Sequence, residues 1–413
     1  MKNSTIKLAM YLNYFVFAIL LNSVGTIILQ VQRNFDISKA DASVLEGFKD
    51  LPIAITSFFL ASFLPKIGLK KSMLIGLAFV TVMCSLMPSS NEFWYFKLLF
   101  LTIGVSFALI KVSVFATIGI ITKTQKEHGS FMSFLEAIFM AGVLLGNIFI
   151  SQFIDDANPK SREWLTIYWF LAAISLVAFL LLFFTKLDES EAKIETRSFI
   201  NDFKEMLILV IKPLTIVFIL AIFFYVMLEQ SFSTWFPTFY QEILKAPSSM
   251  AIQAGAILAG ATFIGRLLSG FVLLRVKWIY FLSFCLIIVG LIVVIVLPMA
   301  GITKSSSETM TWLNAPLVVY LMPIMGLFLA PIYPTINSTI LSALPKHMHS
   351  SMSGLIVVFS ALGGTTGSII TGHVFQAFDG RTAFYFSLVP LFLIFVSIWI
   401  LYNMNKKNVE ITA

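Results

Sequence analysis

Twelve stretches of this chain are continuously apolar over about the length a helix needs to cross a bilayer, ~20 residues for ~30 Å of hydrocarbon. They run over residues 8–32, 45–65, 72–89, 95–121, 130–154, 164–185, 213–241, 250–274, 278–300, 313–343, 351–376 and 382–404. Hydrocarbon offers no partner to backbone N–H and C=O groups, so a spanning segment must satisfy them internally, as a helix or within a closed barrel. The runs are continuous and do not alternate, which selects helices over barrel strands. The first run is too long for a cleaved signal peptide, and no small-residue cleavage site follows it.

Composition agrees with this reading. Of 413 residues 58% are hydrophobic and 12% charged, and the mean hydropathy is +0.92. A soluble domain is about 45–50% apolar and about a quarter charged. A soluble enzyme, a disordered chain and a secreted disulfide scaffold are thereby excluded. Cys84 and Cys285 both lie inside apolar runs and read as small buried hydrophobes. No basic patch carries interleaved aromatics, so no nucleic-acid partner is expected. Nothing resembles a P-loop, a zinc site or a hydrolytic triad. The chain is therefore expected to be no enzyme and to hold no cofactor or metal, and its energy source is expected to be an ion gradient or the substrate's own.

The net charge of +7 has a use in a membrane chain. Placing the N-terminus inside puts most Lys and Arg, such as Lys2, Lys7, Lys66, Lys70 and Lys71, in cytoplasmic loops. Both termini are then cytoplasmic. The longest charged stretch, Lys186 to Lys212, falls between spans six and seven. Within it Phe199, Ile200, Phe203, Leu207 and Ile211 recur near helical spacing, as in an interfacial amphipathic helix. The expected fold is all-α integral membrane: twelve transmembrane helices in two pseudo-symmetric six-helix halves, residues 1–185 and 213–413, joined by a cytoplasmic linker at 186–212.

Six spans, a linker and six more is the arrangement of major facilitator transporters. Those proteins often carry Gly-x-Leu-Ala-Asp-Arg-x-Gly-Arg-Lys after span two. This chain has Ala61-Ser62-Phe63-Leu64-Pro65-Lys66-Ile67-Gly68-Leu69-Lys70-Lys71, which keeps the Gly and the basic residues and puts Pro65 at the Asp. The second half is more specific. Gly265-Arg266 with Gly270, Tyr333-Pro334-Thr335-Ile336, Gly363-Gly364, and Tyr225-Val226 with Trp235 resemble the L-fucose:proton symporter family over most of 213–380. The resemblance implies proton-driven uptake of a sugar. It also implies acids in spans one and four, where this chain has Leu21-Asn22-Ser23-Val24-Gly25 and Ala108-Leu109-Ile110-Lys111-Val112.

A charge at the bilayer centre costs about 2.5–3.5 kcal/mol on insertion scales, so such residues face a cavity or a partner. Four stand out: Lys111, Glu136, Glu229 and Arg266. Lys111 and Glu136 lie on sequential antiparallel spans, roughly 15 Å and 9 Å from the cytoplasmic side at helical rise. Two readings stay open: an ion pair locking two helices, or a Lys111 that meets an anionic or hydroxyl-rich substrate with Glu136 tuning it. Glu229 lies mid-span, beside Gln230, Ser231, Ser233, Thr234 and Trp235, and is expected to carry the coupling proton or to accept from a sugar hydroxyl. Pro237 removes a backbone hydrogen bond nearby and would let the helix bend or unwind. Arg266 reads as structural or gating through its match to the family's Gly-Arg pair.

Span ten holds Pro316, Pro323, Pro331 and Pro334, which a straight helix does not accommodate. Tyr333, Thr335 and Asn337 bring hydrogen-bonding groups to that break and suit a hydroxylated ligand. Asn22 is the candidate from span one. The expected substrate-binding set is Lys111, Asn22, Gln230, Trp235, Tyr333 and Asn337. The expected proton-coupling pair is Glu229 and Glu136, and the expected gating or structural set is Arg266, Pro237, Pro331, Pro334, Gly142 and Gly146. Gly142-x-x-x-Gly146, with Ala251, Gly255 and Ala259, would let helices of the two halves approach closely or make ordinary helix contacts. Asn147 after Gly146 tilts toward import, since facilitator antiporters usually have Pro there. His128, His347 and His349 read as solvated, and His373 as a rim hydrogen bond or a proton relay. Glu46, Lys49 and Asp50 read as a solvated outer rim or a vestibule lining.

The expected function is proton-coupled symport of a small polar solute by alternating access. That solute would be a sugar, sugar derivative or organic anion, with proton preferred to sodium. The protein would be a monomer in the lipid bilayer of a bacterial-type inner membrane. The main rival is a proton-coupled exporter of drugs, lipids or siderophore-like compounds. A non-transporting sensor or scaffold is the third reading.

Overall fold

Each apolar run does become helix. The computed structural model describes residues 4–122, 125–189, 208–300, 310–343 and 349–412. Among them ten helices are long and apolar enough to cross a membrane. The predicted span two is the helix Lys39–Ile67, whose first part carries Lys39, Asp41, Glu46, Lys49 and Asp50. In span five the described apolar helix is the shorter Ala137–Ser151. The amphipathic helix expected near 199–211 lies for the most part outside the described residues, as does His347; the side chains of His128 and His349 lie outside them too.

The interruptions have local causes. Span one is two helices, Ser4–Asn22 and Val24–Asn34, parted at Ser23, whose hydroxyl donates to the Leu20 carbonyl at 2.8 Å. Span ten is likewise Leu317–Leu329 and Ile332–Ala343, parted at Ala330-Pro331. Pro331 cannot donate a backbone hydrogen bond, and its ring crowds the preceding turn. Pro237, by contrast, sits inside the continuous helix Pro213–Glu242, so the expected unwinding does not occur there. Ser38 opens span two: its hydroxyl accepts from the Asp41 amide at 3.0 Å and donates to the Asp41 carboxylate at 2.6 Å. That reciprocal arrangement satisfies an otherwise orphaned helix-end donor. Gly68, at φ +88°, turns span two into span three (Leu69–Leu86). The Glu189 carboxylate accepts the N–H groups of Leu69 at 3.0 Å and Lys70 at 2.8 Å, a negative charge at a helix N-terminus.

The chain divides into two units. The first holds residues 1–37 and 48–199, the second 38–47 and 200–413. In the first, span one packs on span five (Gln125–Ser151), and span three on spans four (Trp94–Ile121) and six (Ile167–Phe184). A Cβ on Gly142 would lie 2.7 Å from the Ala18 Cβ, and one on Gly146 2.9 Å from Ile19. The small-residue pattern of span five therefore seats span one of its own unit. The alternative in which it brings helices of the two halves together is corrected, because the space these glycines free is already filled by Phe15, Ala18 and Ile19. Tyr14, Phe17, Phe96 and Phe100 are fully buried at the heart of this unit.

In the second unit span seven (Pro213–Glu242) packs on spans eleven (His349–Ala377) and twelve (Gly380–Phe386 and Leu388–Thr412), and span eight (Ser248–Leu273) on span ten. Glycine allows backbone-to-backbone approach at both main seams. Cβ atoms on Gly363 and Gly367 would fall on the carbonyls of Phe223 and Met227, and one on Gly265 on the carbonyl of Leu327. Trp235, Tyr225, Tyr240, Phe232, Phe236 and Phe239, all on span seven, are buried, so this helix is the axis of the unit's core.

Candidate functional site

The glycine seams of the second unit decide which polar groups meet. Gly363 and Gly367 hold span eleven against the stretch of span seven that carries Tyr225 and Glu229. Gly265 holds span eight against span ten and places the next residue, Arg266, beside that stretch. The Tyr225 hydroxyl donates to Glu229 Oε1 at 2.9 Å and also lies 3.2 Å from the Leu329 carbonyl, at the end of the first half of span ten. The Tyr225 and Tyr333 rings lie 5.7 Å apart. The Tyr333 hydroxyl is 3.3 Å from Ser360 Oγ and within hydrogen-bonding reach of Asn337. Arg266 and Glu229 both act electrostatically on the two phenols. Buried here without hydrogen-bond partners are Arg266 Nε and Asn337 Oδ1.

Four residues singled out in the sequence thus come together: Glu229, Arg266, Tyr333 and Asn337. Tyr225, noted there only for resemblance, and Ser360 complete the group. A carboxylate, a guanidinium, two phenols and an amide can hold a polar ligand and pass a proton between oxygen atoms. The break at Ala330-Pro331 matters to this cluster: it directly follows the Leu329 carbonyl that Tyr225 reaches, and the helix that starts after it carries Tyr333. Pro334, one residue on, lies within that second helix.

Other candidates fall elsewhere. Gln230 points away from the cluster and donates to Glu46 Oε1 at 2.6 Å. Trp235 is fully buried, and its indole N–H donates to the Ser368 carbonyl at 3.0 Å. Asn22 is exposed at the break in span one and donates to the Ala18 carbonyl one turn back at 2.9 Å. His373 is exposed with its Nδ1 2.8 Å from the Ile369 carbonyl. Among the described residues no group of three or more His, Cys, Asp or Glu could hold a metal ion.

In the first unit Lys111 is half-buried on span four, its Nζ 5.7 Å from the Phe107 ring centre and 5.9 Å from that of Phe115. Those rings belong to a wider aromatic group with Tyr14, Phe17 and Phe139. Ring faces attract an ammonium by about 0.5–2 kcal/mol each. Lys111 is thus lodged in an aromatic setting that suits a charged head beside an apolar body. The Glu136 side chain lies outside the described residues.

The solvated-rim reading of span two is corrected. Glu46 is fully buried, where Ser43 and Gly47 let the start of this helix lie tight against span eleven, and Lys49 is 6% exposed, its Nζ 3.5 Å from the Leu21 carbonyl. A Cβ on Gly372 would lie 2.7 Å from Ser43 Cβ, and one on Gly47 2.9 Å from Thr365. Glu46 Oε1 accepts from Gln230 and Oε2 from Thr234 Oγ1, the latter at 2.9 Å. Ser43 and Gly47 are four residues apart, and that small-residue spacing around an acid was the available signal.

A family model described as Major Facilitator Superfamily matches residues 10–368. No match is found among curated proteins. Several solved structures are similar in fold. A bacterial homologue of the human lysosomal transporter Spinster, in an inward-facing and occupied conformation, has a TM-score of 0.78 at 12% identity over 97% of both chains. The nucleoside transporter NupG has 0.72 at 14% identity, covering 96% of this chain and 99% of that one. The E. coli fucose:proton symporter FucP has 0.61 at 16% identity, covering 97% and 99%.

Proposed function

The chain belongs to the Major Facilitator Superfamily, and from that premise we propose that it is a proton-coupled symporter for a small polar solute, working by alternating access. The observation that carries the reading is the Glu229–Tyr225 hydrogen bond set beside Arg266, Tyr333 and Asn337. A carboxyl in the middle of a spanning helix can change charge as it gains and loses a proton. Tyr225 holds its orientation, and Arg266 supplies a nearby positive charge that reads that change. The phenols, Asn337 and Ser360 then offer donors and acceptors to a hydroxylated solute, with ring faces for its apolar side. Lys111, in its aromatic setting, favours a solute that also carries an anionic group, such as a sugar acid or another carboxylate.

Reconstituted vesicles test this. A thermal-shift screen against sugars, sugar acids and carboxylates selects the solute. Adding it outside vesicles should alkalinise the outer medium, as symport requires. Glu229→Gln should abolish uphill accumulation driven by a pH gradient while leaving solute exchange intact. Unimpaired uphill uptake by this variant would remove Glu229 from coupling, and solute-driven acidification outside would point to antiport instead.

A further inference from the structure

Span two is one continuous helix, Lys39–Ile67, yet its first nine residues belong to the second unit and the rest to the first. If the units move against one another, as the function above requires, one of these attachments must let go. The attachments of Lys39–Gly47 can be named. Lys39 pairs with Glu242 at 2.8 Å, and the Ala40 amide donates to Gln376 Oε1 at 2.9 Å. The Ser43 carbonyl accepts from Ser368 Oγ at 3.3 Å, and Glu46 accepts from Gln230 and Thr234. The Lys39–Glu242 pair is part-exposed, at 23% and 33%, and solvent screens such pairs. Glu46 is fully buried, and its bonds are charge-assisted, the stronger kind.

We propose that Glu46 is a proton-operated latch: ionised, it holds the first turns of span two on span seven, and protonation releases them. An ionised carboxylate has only acceptors, which matches two donors, the Gln230 amide and the Thr234 hydroxyl. A proton on Oε1 would meet the Gln230 N–H₂, donor against donor, and one on Oε2 would require the Thr234 hydroxyl to turn from donor to acceptor. Neutralisation also ends the charge-assisted character of both bonds. Glu46, bonded to Gln230, thereby becomes a second protonatable position beside Glu229, which is bonded to Tyr225.

Among the described residues the other ionisable groups on the surrounding elements are few, and span four contributes Lys97, its Nζ 5.8 Å from the ring centre of Phe48. On its own helix Lys39 and Asp41 precede Glu46; Lys49 and Asp50 follow it and pair with each other at 3.5 Å. Span seven contributes Glu229 and Glu242. Span eleven contributes His373, which is exposed.

The latch is tested without any solute, so its failure is separable from failure of the transport reading. Ser43 is fully buried against span eleven. Ser43→Cys is placed in a chain whose Cys84 and Cys285 are replaced by alanine, and labelled with a membrane-impermeant maleimide at pH 7.5 and 5.5. Rates are taken relative to the exposed loop position Ala157→Cys, which cancels the reagent's own pH dependence. The expected result is at least fivefold faster relative labelling at pH 5.5, and fast labelling at both pH values once Glu46→Gln is added. His373→Ala should leave the response intact. Equal labelling at both pH values, slow labelling of the Glu46→Gln variant at pH 7.5, or a response lost with His373→Ala would each overturn the proposal. Deuterium uptake over residues 38–47 in the chain without added cysteine, corrected for intrinsic pH dependence, must show the same pattern; uptake that does not rise at pH 5.5 would overturn it equally.

Discussion

At the scale of single residues, charge inside the membrane carries the information. Lys111, Glu229 and Arg266 were legible as a short list because each is costly in hydrocarbon. Their partners were not legible, because a partner lies on another helix. Tyr225 and Leu329 are 104 residues apart, and Gln230 and Glu46 are 184 apart. Lys111 yields a prediction at this scale. If it meets an anionic group of the solute, Lys111→Met should weaken solute affinity about 10–100-fold, the equivalent of a hydrogen bond to a charged group, about 1.5–3 kcal/mol. Expression and thermal midpoint should change little. If Lys111 instead locks spans four and five, Lys111→Met should lower the thermal midpoint, and the double exchange Lys111→Glu with Glu136→Lys should restore it. Solute affinity and melting, measured on the same purified variants, separate the two.

At the scale of elements, glycine determines which helices touch. Gly363 and Gly367 on span eleven and Gly265 on span eight each meet a neighbour's backbone, where a Cβ has nowhere to go. Backbone yields less readily than a side-chain tip, and overpacking of this kind costs about 1–3 kcal/mol. Gly367→Val should therefore lower the thermal midpoint and disturb the Tyr225–Glu229 neighbourhood. Nothing lies within 4 Å of a Cβ on Gly270, the family-like glycine five residues after Gly265. Gly270→Ala should be neutral or stabilise by about 0.5–1 kcal/mol, as for glycine replaced within a helix. Melting of the two variants by fluorescence-detected size exclusion checks the contrast. Equal destabilisation would contradict the packing described here. The motif-like loop shows the same dependence on context. Pro65 takes the place of an expected acid, while a carboxylate does reach the start of span three, from Glu189 of the linker. No spacing rule links positions so far apart.

At the scale of the whole molecule, twelve apolar runs and an asymmetry of Lys and Arg determine a multi-pass chain and an expected orientation. With both termini inside, a green fluorescent protein fused after Ala413 should fluoresce. Alkaline phosphatase fused in the loop after span five, near Asp156, should be active. An active phosphatase at the C-terminus instead would reverse the orientation. The division into units follows the six-plus-six pattern except at Ser38–Gly47, which joins the second unit although it precedes most of the first in sequence.

By itself, then, the sequence determined that this protein is a bundle of spanning helices with a handful of charges inside it. That constraint is local: every backbone polar group in hydrocarbon must be satisfied within its own segment, so length and hydropathy suffice. The break in span ten and the likeness to facilitator transporters were legible for related reasons, since proline and loop motifs act close by in the chain; the break in span one at Ser23 carried no such signal. Only the tertiary structure decided that Glu46 is buried and not solvated, that Gln230 faces it, and that Tyr225, Glu229, Arg266 and Tyr333 form one group. Those outcomes depend on which helix faces meet, and a hydrophobic period leaves that open when lipid and protein interior are equally apolar.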